Sequence, residues 1–175
     1  MNSRHNSPVM RIARIAMLSA LGIVGRIAMT GFPNVQPVTA LLILSAIFWN
    51  PLEALTADVV VVVVTNFVIG MGIWSVSVWQ MVSWGVIAVL SWLIFRLTNL
   101  YQKKTIANVL IPIWGFLAGF GYGAVVSIFS YSMFANRGYV AYWIIGLPFD
   151  LYHAIGNFIF CAALLPVFNK LKIEN

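Results

Sequence analysis

Several stretches of this chain run for about twenty residues almost without a charge, the length an α-helix needs to cross roughly 30 Å of hydrocarbon. Lipid offers no water to backbone N–H and C=O groups, so only helices and closed barrels persist there. That constraint decides how the six valines from Val59 to Val64 are read. In water such a β-branched run would suggest a strand; in lipid it reads as the middle of a helix. Composition agrees, with 62% hydrophobic and 8% charged residues in 175 and a mean hydropathy of +0.95, outside the range of soluble globular chains. The expectation is an all-α integral membrane protein, one domain over residues 1–175, embedded in the lipid bilayer.

Six transmembrane helices are expected, over residues 10–29, 38–49, 51–69, 76–97, 106–133 and 142–168. The second is short, since twelve residues rise only about 18 Å. The third has the clearest start: Asn50 suits the N-cap, Pro51 the first helical position, and Glu53 the carboxylate position of a capping box. Pro112 predicts a kink near the start of the fifth. Arg4, Arg11, Arg14, Arg96, Lys103, Lys104, Lys170 and Lys172 cluster at the N-terminus, the fourth connector and the C-terminus. Six crossings place all of them inside, with both termini cytoplasmic. Segments 30–37, 70–75 and 134–141 then face outside. The net charge of +6 lies at membrane edges rather than in one patch, which argues against nucleic acid as a partner. The charged front of the chain resembles a signal peptide. The apolar segment behind it holds Arg26 and leads into a Pro-Asn turn rather than a cleavage site, so it is read as a mature first helix. The single Cys161 has no partner for an internal disulfide and no spacing for a metal site.

The outside mouth gathers the polar candidates. Pro33 and Pro37 stiffen Phe32-Pro-Asn-Val-Gln-Pro-Val-Thr39, so Asn34 and Gln36 present amides on a loop of little freedom. This loop is expected to form half of a ligand-gripping lid. The other half comes from Gly70-Met-Gly-Ile-Trp74 and the head of the last helix. Arg26 and Asp150 fall in the outer membrane half, where an unpaired charge is costly; they pair with each other or meet a polar ligand. Asp58 pairs with Arg14 or faces a partner subunit. Gly146, Asp150, His153 and Asn157 share one helix face, and His153 is either a hydrogen-bonded packing residue or a ligand contact. No metal site is expected, because His5 is terminal and no second ligand lies near His153. Trp74, Trp79 and Trp84 form either an interfacial belt or the wall of an aromatic cleft in which Gln80 and Asn66 hydrogen-bond a ligand. Gly115, Gly119 and Gly123 mark one helix-contact face and Ala16 and Ala20 another, each for internal packing or for docking a membrane partner.

No Gly-Lys dipeptide occurs, hence no P-loop and no ATPase of its own. The Asp-His pair has no serine or cysteine motif beside it, so no enzyme is expected. Paired broken helices of a self-sufficient carrier are also missing. A small six-span binder of this kind needs an external engine.

The chain resembles the substrate-binding S components of energy-coupling factor (ECF) vitamin transporters. The resemblance rests on Ala16-xxx-Ala20, Phe32-Pro-Asn-Val-Gln-Pro-Val-Thr39, Gly70-Met-Gly-Ile-Trp74 with Trp79-Gln80-Met81, and Pro148-Phe-Asp-Leu-Tyr-His-Ala-Ile-Gly-Asn157. It implies docking through Ala16 and Ala20 onto a transmembrane coupling subunit, with two cytoplasmic ATPases consuming the ATP, and no cofactor of its own. It implies a prokaryotic plasma membrane, vitamin capture by the outer loops and toppling of the subunit. The loop and last-helix patterns look most like the cobalamin type. Pantothenate, riboflavin or a similar vitamin is the alternative, with Arg26 or Arg137 to meet a carboxylate, and a proton-coupled secondary carrier is a further one.

Overall fold

The computed structural model describes residues 7–71, 76–134 and 138–171, and these are helical almost throughout. The elements are α1 (Pro8–Ala28), α2 (Val38–Phe48), α3 (Pro51–Ile69), α4 (Val76–Leu97), a 3-10 turn (Leu100–Gln102), α5 (Lys104–Phe134) and α6 (Tyr139–Lys170). Local chemistry sets the clear boundaries. Ser7 Oγ accepts from the Met10 N–H at 3.3 Å ahead of Pro8, and Asn50 Oδ1 accepts from the Leu52 N–H at 2.8 Å ahead of Pro51. Gly70, at φ 76°, ends α3 in the left-handed conformation that glycine adopts without a steric penalty. The last two helices begin two and three residues earlier than the sequence suggests.

Glu53 does not close a capping box. Its carboxylate takes Arg14 in a two-pronged pair, with Nε and Nη2 each at 2.6 Å, and Arg11 Nε stands at 3.6 Å. A two-pronged pair with a guanidinium outcompetes a single bond from the cap N–H. Arg14 is therefore taken by Glu53, and the expected Arg14–Asp58 pair does not form.

The direction of each helix follows from its contacts. Arg14 meets Glu53 near the starts of α1 and α3, and Arg26 meets Thr65 near their ends, so the two run parallel. The intervening α2 must therefore return the opposite way. At eleven residues it rises about 16 Å, and it falls below the length of the five helices that are long and apolar enough to cross a membrane. All of its residues are buried. A helix wrapped by protein is free of the hydrocarbon-length requirement, and the residues flanking it make up the rest of the passage.

The later helices alternate. Asn66 near the end of α3 reaches Ser77 and Gln80 near the start of α4. Ser83 bonds the Tyr122 carbonyl and Trp114 bonds Ser91, which sets α5 antiparallel to α4. Tyr139 bonds the Ala124 carbonyl, which turns α6 back along α5. Arg11, Arg14, Arg96, Lys103, Lys104 and Lys170 consequently share one end of the bundle, as the charge pattern predicts.

The glycine face of α5 is internal. A Cβ on Gly119 would lie 2.5 Å from the Ala154 backbone, one on Gly115 2.8 Å from Cys161 Sγ, and one on Gly123 would overlap the Asp150 carboxylate. The valine run splits as a helix should, Val61 and Val62 inward and Val59, Val60, Val63 and Val64 outward. At the basic end Phe48, Trp49, Tyr101 and Phe168 form an aromatic plug, Trp49 and Phe168 with centroids 4.9 Å apart.

Candidate functional site

Arg26 stands in the last turn of α1 at the end of the bundle opposite the basic cluster, and is only 7% exposed. Its Nη1 donates to Thr65 Oγ1 at 2.6 Å, and Thr65 passes its own proton to the Val61 carbonyl at 2.7 Å. The guanidinium carbon lies 5.3 Å from the Trp84 ring centre, a cation–π arrangement. These partners are neutral. The expected Arg26–Asp150 pair does not occur among the described residues, because α1 packs mainly on α3 while α6 packs on α5. Asp150 instead accepts from Trp143 Nε1 at 3.0 Å and fills the space that Gly123 leaves.

The loop from Met29 to Pro37 closes over this end. Gly25 lets it approach, since a side chain there would collide with the Pro37 ring. Asn34 takes φ 58°, a left-handed conformation that asparagine tolerates better than most residues. Its Nδ2 donates to the Phe149 carbonyl at 3.1 Å, and its own carbonyl accepts from His153 Nδ1 at 2.9 Å. A carbonyl only accepts, so His153 carries its proton on Nδ1 and its Nε2 accepts from Thr39 Oγ1 at 3.0 Å. Thr39 in turn accepts from Trp84 Nε1 at 2.8 Å. One directed chain thus runs Trp84, Thr39, His153, Asn34 and ties the loop to the core. His153 also stacks on Tyr122 with centroids 4.8 Å apart, and Tyr122 meets Trp84 in a tilted contact at 5.0 Å. Both ring nitrogens of His153 are thus engaged within the protein.

Beneath the loop lies a cavity of about 260 Å³. Its polar wall is Arg26, Thr30, Asn34, Gln36, Gln80 and Tyr122, and Phe32 and Met71 are among its apolar lining. Four of the residues singled out by sequence therefore converge here. Asn66 stands behind Gln80, its side-chain amide 2.7 Å from Gln80 Oε1 and 2.8 Å from Ser77 Oγ. Trp84 lies against Arg26, and neither it nor Asn66 lines the cavity. Asp150, His153, Asn157 and the half-buried Trp79 do not line the cavity, and Trp74 and Arg137 lie outside the described residues. Asn157 is fully buried one turn below His153, and neither atom of its side-chain amide has a partner among the described residues.

Thr65 and Tyr122 are the two participants that sequence reasoning missed. Thr65 follows the valine run, where a hydroxyl reads as an ordinary helix back-bonder. Tyr122 sits between Gly121 and Gly123, and that spacing could have flagged it as a large polar ring wedged into a close helix contact. Two larger hollows among the described residues are apolar. One of about 510 Å³ runs between α3 and α4 past Leu55, Met81 and Gly85, a surface suited to lipid chains.

Ala16 and Ala20 lie on the exposed face of α1, away from the cavity and toward the basic end. Residues 10–165 match the family model described as ECF transporter, substrate-specific component. No curated protein and no solved structure matches the chain.

Proposed function

The chain belongs to the family of ECF transporter substrate-specific components, and from that premise we propose that it captures a small carboxylate-bearing vitamin from outside the cell. The carrying observation is Arg26. Among the described residues it is a buried cation whose hydrogen-bond and ring partners are neutral, on the wall of a cavity at the loop end of the bundle. A charge so placed in a membrane protein is a functional feature by default, and a guanidinium with one edge fixed presents its remaining N–H groups in the fork that a carboxylate fits. Gln36, Gln80 and Tyr122 add hydrogen-bonding groups for an amide or hydroxyl on the same ligand. Family membership supplies the rest of the machine: a transmembrane coupling subunit and ATPases that carry the nucleotide chemistry. Ala16 and Ala20 are the docking contacts in this reading.

In this reading the cavity favours a small vitamin. About 260 Å³ sits just under the roughly 300–1,000 Å³ of ordinary small-molecule sites. Pantothenate, biotin or nicotinate suits that space and its arginine. A corrinoid would require the loop over residues 29–37 to swing away from α6, breaking both Asn34 contacts.

Calorimetry on the purified protein against a panel of B vitamins, cobalamin included, tests the reading. One-to-one binding of an acid from the panel supports it. Tight binding of cobalamin alone would discard the carboxylate while keeping the transport class, and silence across the panel would discard both the vitamin and the Arg26 assignment.

A further inference from the structure

Gln80 is the contribution of α4 to the cavity wall, and it is almost wholly buried. A side-chain amide has an acceptor oxygen and a donor nitrogen, and which of them meets a ligand is decided here from behind. Asn66 is fully buried near the end of α3. Its Nδ2 donates to Gln80 Oε1 at 2.7 Å and to Ser77 Oγ at 2.8 Å. The oxygen of Gln80 is therefore held on Asn66, and Nε2 is the group left to serve the cavity. Asn66 holds this arrangement at its own expense. Its Oδ1 is buried without a partner among the described residues, a penalty that an apolar side chain at this place would avoid. Turning Asn66 over would not remove the penalty. It would set Oδ1 against Gln80 Oε1, two acceptors with no proton between them.

Arg26 lines the same cavity and has donors only; its Nη1 is fixed on Thr65 Oγ1 at 2.6 Å, and its other N–H groups remain for a ligand. Arg26 and Gln80 thus both offer donors to one occupant. A carboxylate answers both, because it only accepts. The matching carboxamide brings an N–H2 group that finds no acceptor on Gln80, and a buried donor left unmatched weakens binding.

We propose that Asn66 is a positioning residue for specificity. It does not touch the ligand; it holds Gln80 as a donor, so that the site prefers a carboxylate head to the matching carboxamide by hydrogen-bond polarity as well as by charge. The inference rests on the anion reading of Arg26.

The test uses the full chain in detergent, titrated calorimetrically with biotin and biotinamide and with nicotinate and nicotinamide. Gln80→Met keeps the length of the side chain and removes the amide. It should weaken the acid about tenfold, the worth of one hydrogen bond to a charged group, and the carboxamide less than about threefold. Asn66→Leu frees the Gln80 amide to turn. The acid should again lose about fivefold to tenfold, while the carboxamide holds or tightens. The double variant Asn66→Leu/Gln80→Met should bind the acid as Gln80→Met does, because Asn66 acts only through Gln80. If Asn66→Leu does not fold, Asn66→Ala takes its place with the same expectations. Additive losses in the double variant, an equal loss for acid and carboxamide in the Asn66 variant, or no loss of acid binding in Gln80→Met each overturn the proposal. An acid that binds and depends on Arg26, with a preference indifferent to Asn66, overturns this inference alone. If neither acid binds the wild type, the anion reading of Arg26 and the role of Asn66 fall together.

Discussion

Replacing Arg26 by Gln removes the charge while keeping an amide that can still reach Thr65. The magnitude follows from the surroundings of the guanidinium. A carboxylate in contact with it, at about 4 Å and an effective dielectric constant near 20, gains about 4 kcal/mol. Desolvating the ligand opposes this, and the residual amide retains one neutral hydrogen bond of about 1 kcal/mol. The net loss is about 3 kcal/mol, or roughly a hundredfold in Kd. The assay is calorimetry with an acid and its own carboxamide, nicotinate against nicotinamide or biotin against biotinamide, on both proteins. The acid should lose its hundredfold advantage and the amide should change less than fivefold, about 1 kcal/mol. Thermal stability should hold or rise, because no ion pair is broken: Arg26 bonds a hydroxyl and lies over an indole. An equal loss for acid and amide would mean that Arg26 shapes the cavity without reading charge, and the reasoning would fail.

Other perturbations probe the frame. Ala16→Leu with Ala20→Leu should abolish uptake by cells carrying the coupling module while the isolated protein still binds its vitamin; undiminished uptake would remove these residues from the docking surface. Gly123→Ala places a methyl where the Asp150 carboxylate lies and should cost about 1–3 kcal/mol, read as a lower melting temperature. Glu53→Gln removes the carboxylate that forks the buried Arg14, and breaking a buried pair from one side costs about 3–5 kcal/mol. The low end is expected here because the pair sits at the bundle end, and the double variant Arg14→Met/Glu53→Gln should recover much of the loss.

Much of the fold was legible because the membrane removes alternatives. Apolar length, the Asn50-Pro51 start, the Gly70 stop and the grouping of Lys and Arg at one side are all local or additive signals, and α3 and α4 came out with the expected bounds. The pairing of charges was not legible. Sequence places Arg26 and Asp150 at similar depth, but depth does not say which helices touch. Once α1 lies along α3, Arg26 finds Thr65 and Trp84, and Asp150 finds Trp143 two turns earlier on α6 and the space that Gly123 of α5 leaves. Glu53 was misread for a related reason. Its place three residues after a cap is a local signal, and the Arg14 fork that overrides it comes from 39 residues away. In the site, Asn34, Gln36, Gln80 and Arg26 were readable as polar residues stranded at an apolar mouth. Thr65 and Tyr122 had no such contrast with their neighbours.

The placement of α2 ties these strands together. A helix too short to span lipid survives only when others enclose it, so α1, α3, α4 and α6 are held around a common centre. Thr39 in its first turn receives Trp84 from α4 and donates to His153 of α6, so the buried helix positions the ring against Arg26 and the imidazole that holds the loop. The entrance and the charge-reading group therefore hang from one short element. Thr39→Val tests that coupling. It keeps shape but deletes one hydroxyl that serves two partners, leaving an indole N–H unsatisfied at a cost of about 1–3 kcal/mol. It should also loosen the loop, seen as faster hydrogen exchange at residues 29–37 with the basic end unchanged. Uniform exchange throughout the bundle would instead make Thr39 a plain core residue, with the loop and the ring against Arg26 held independently.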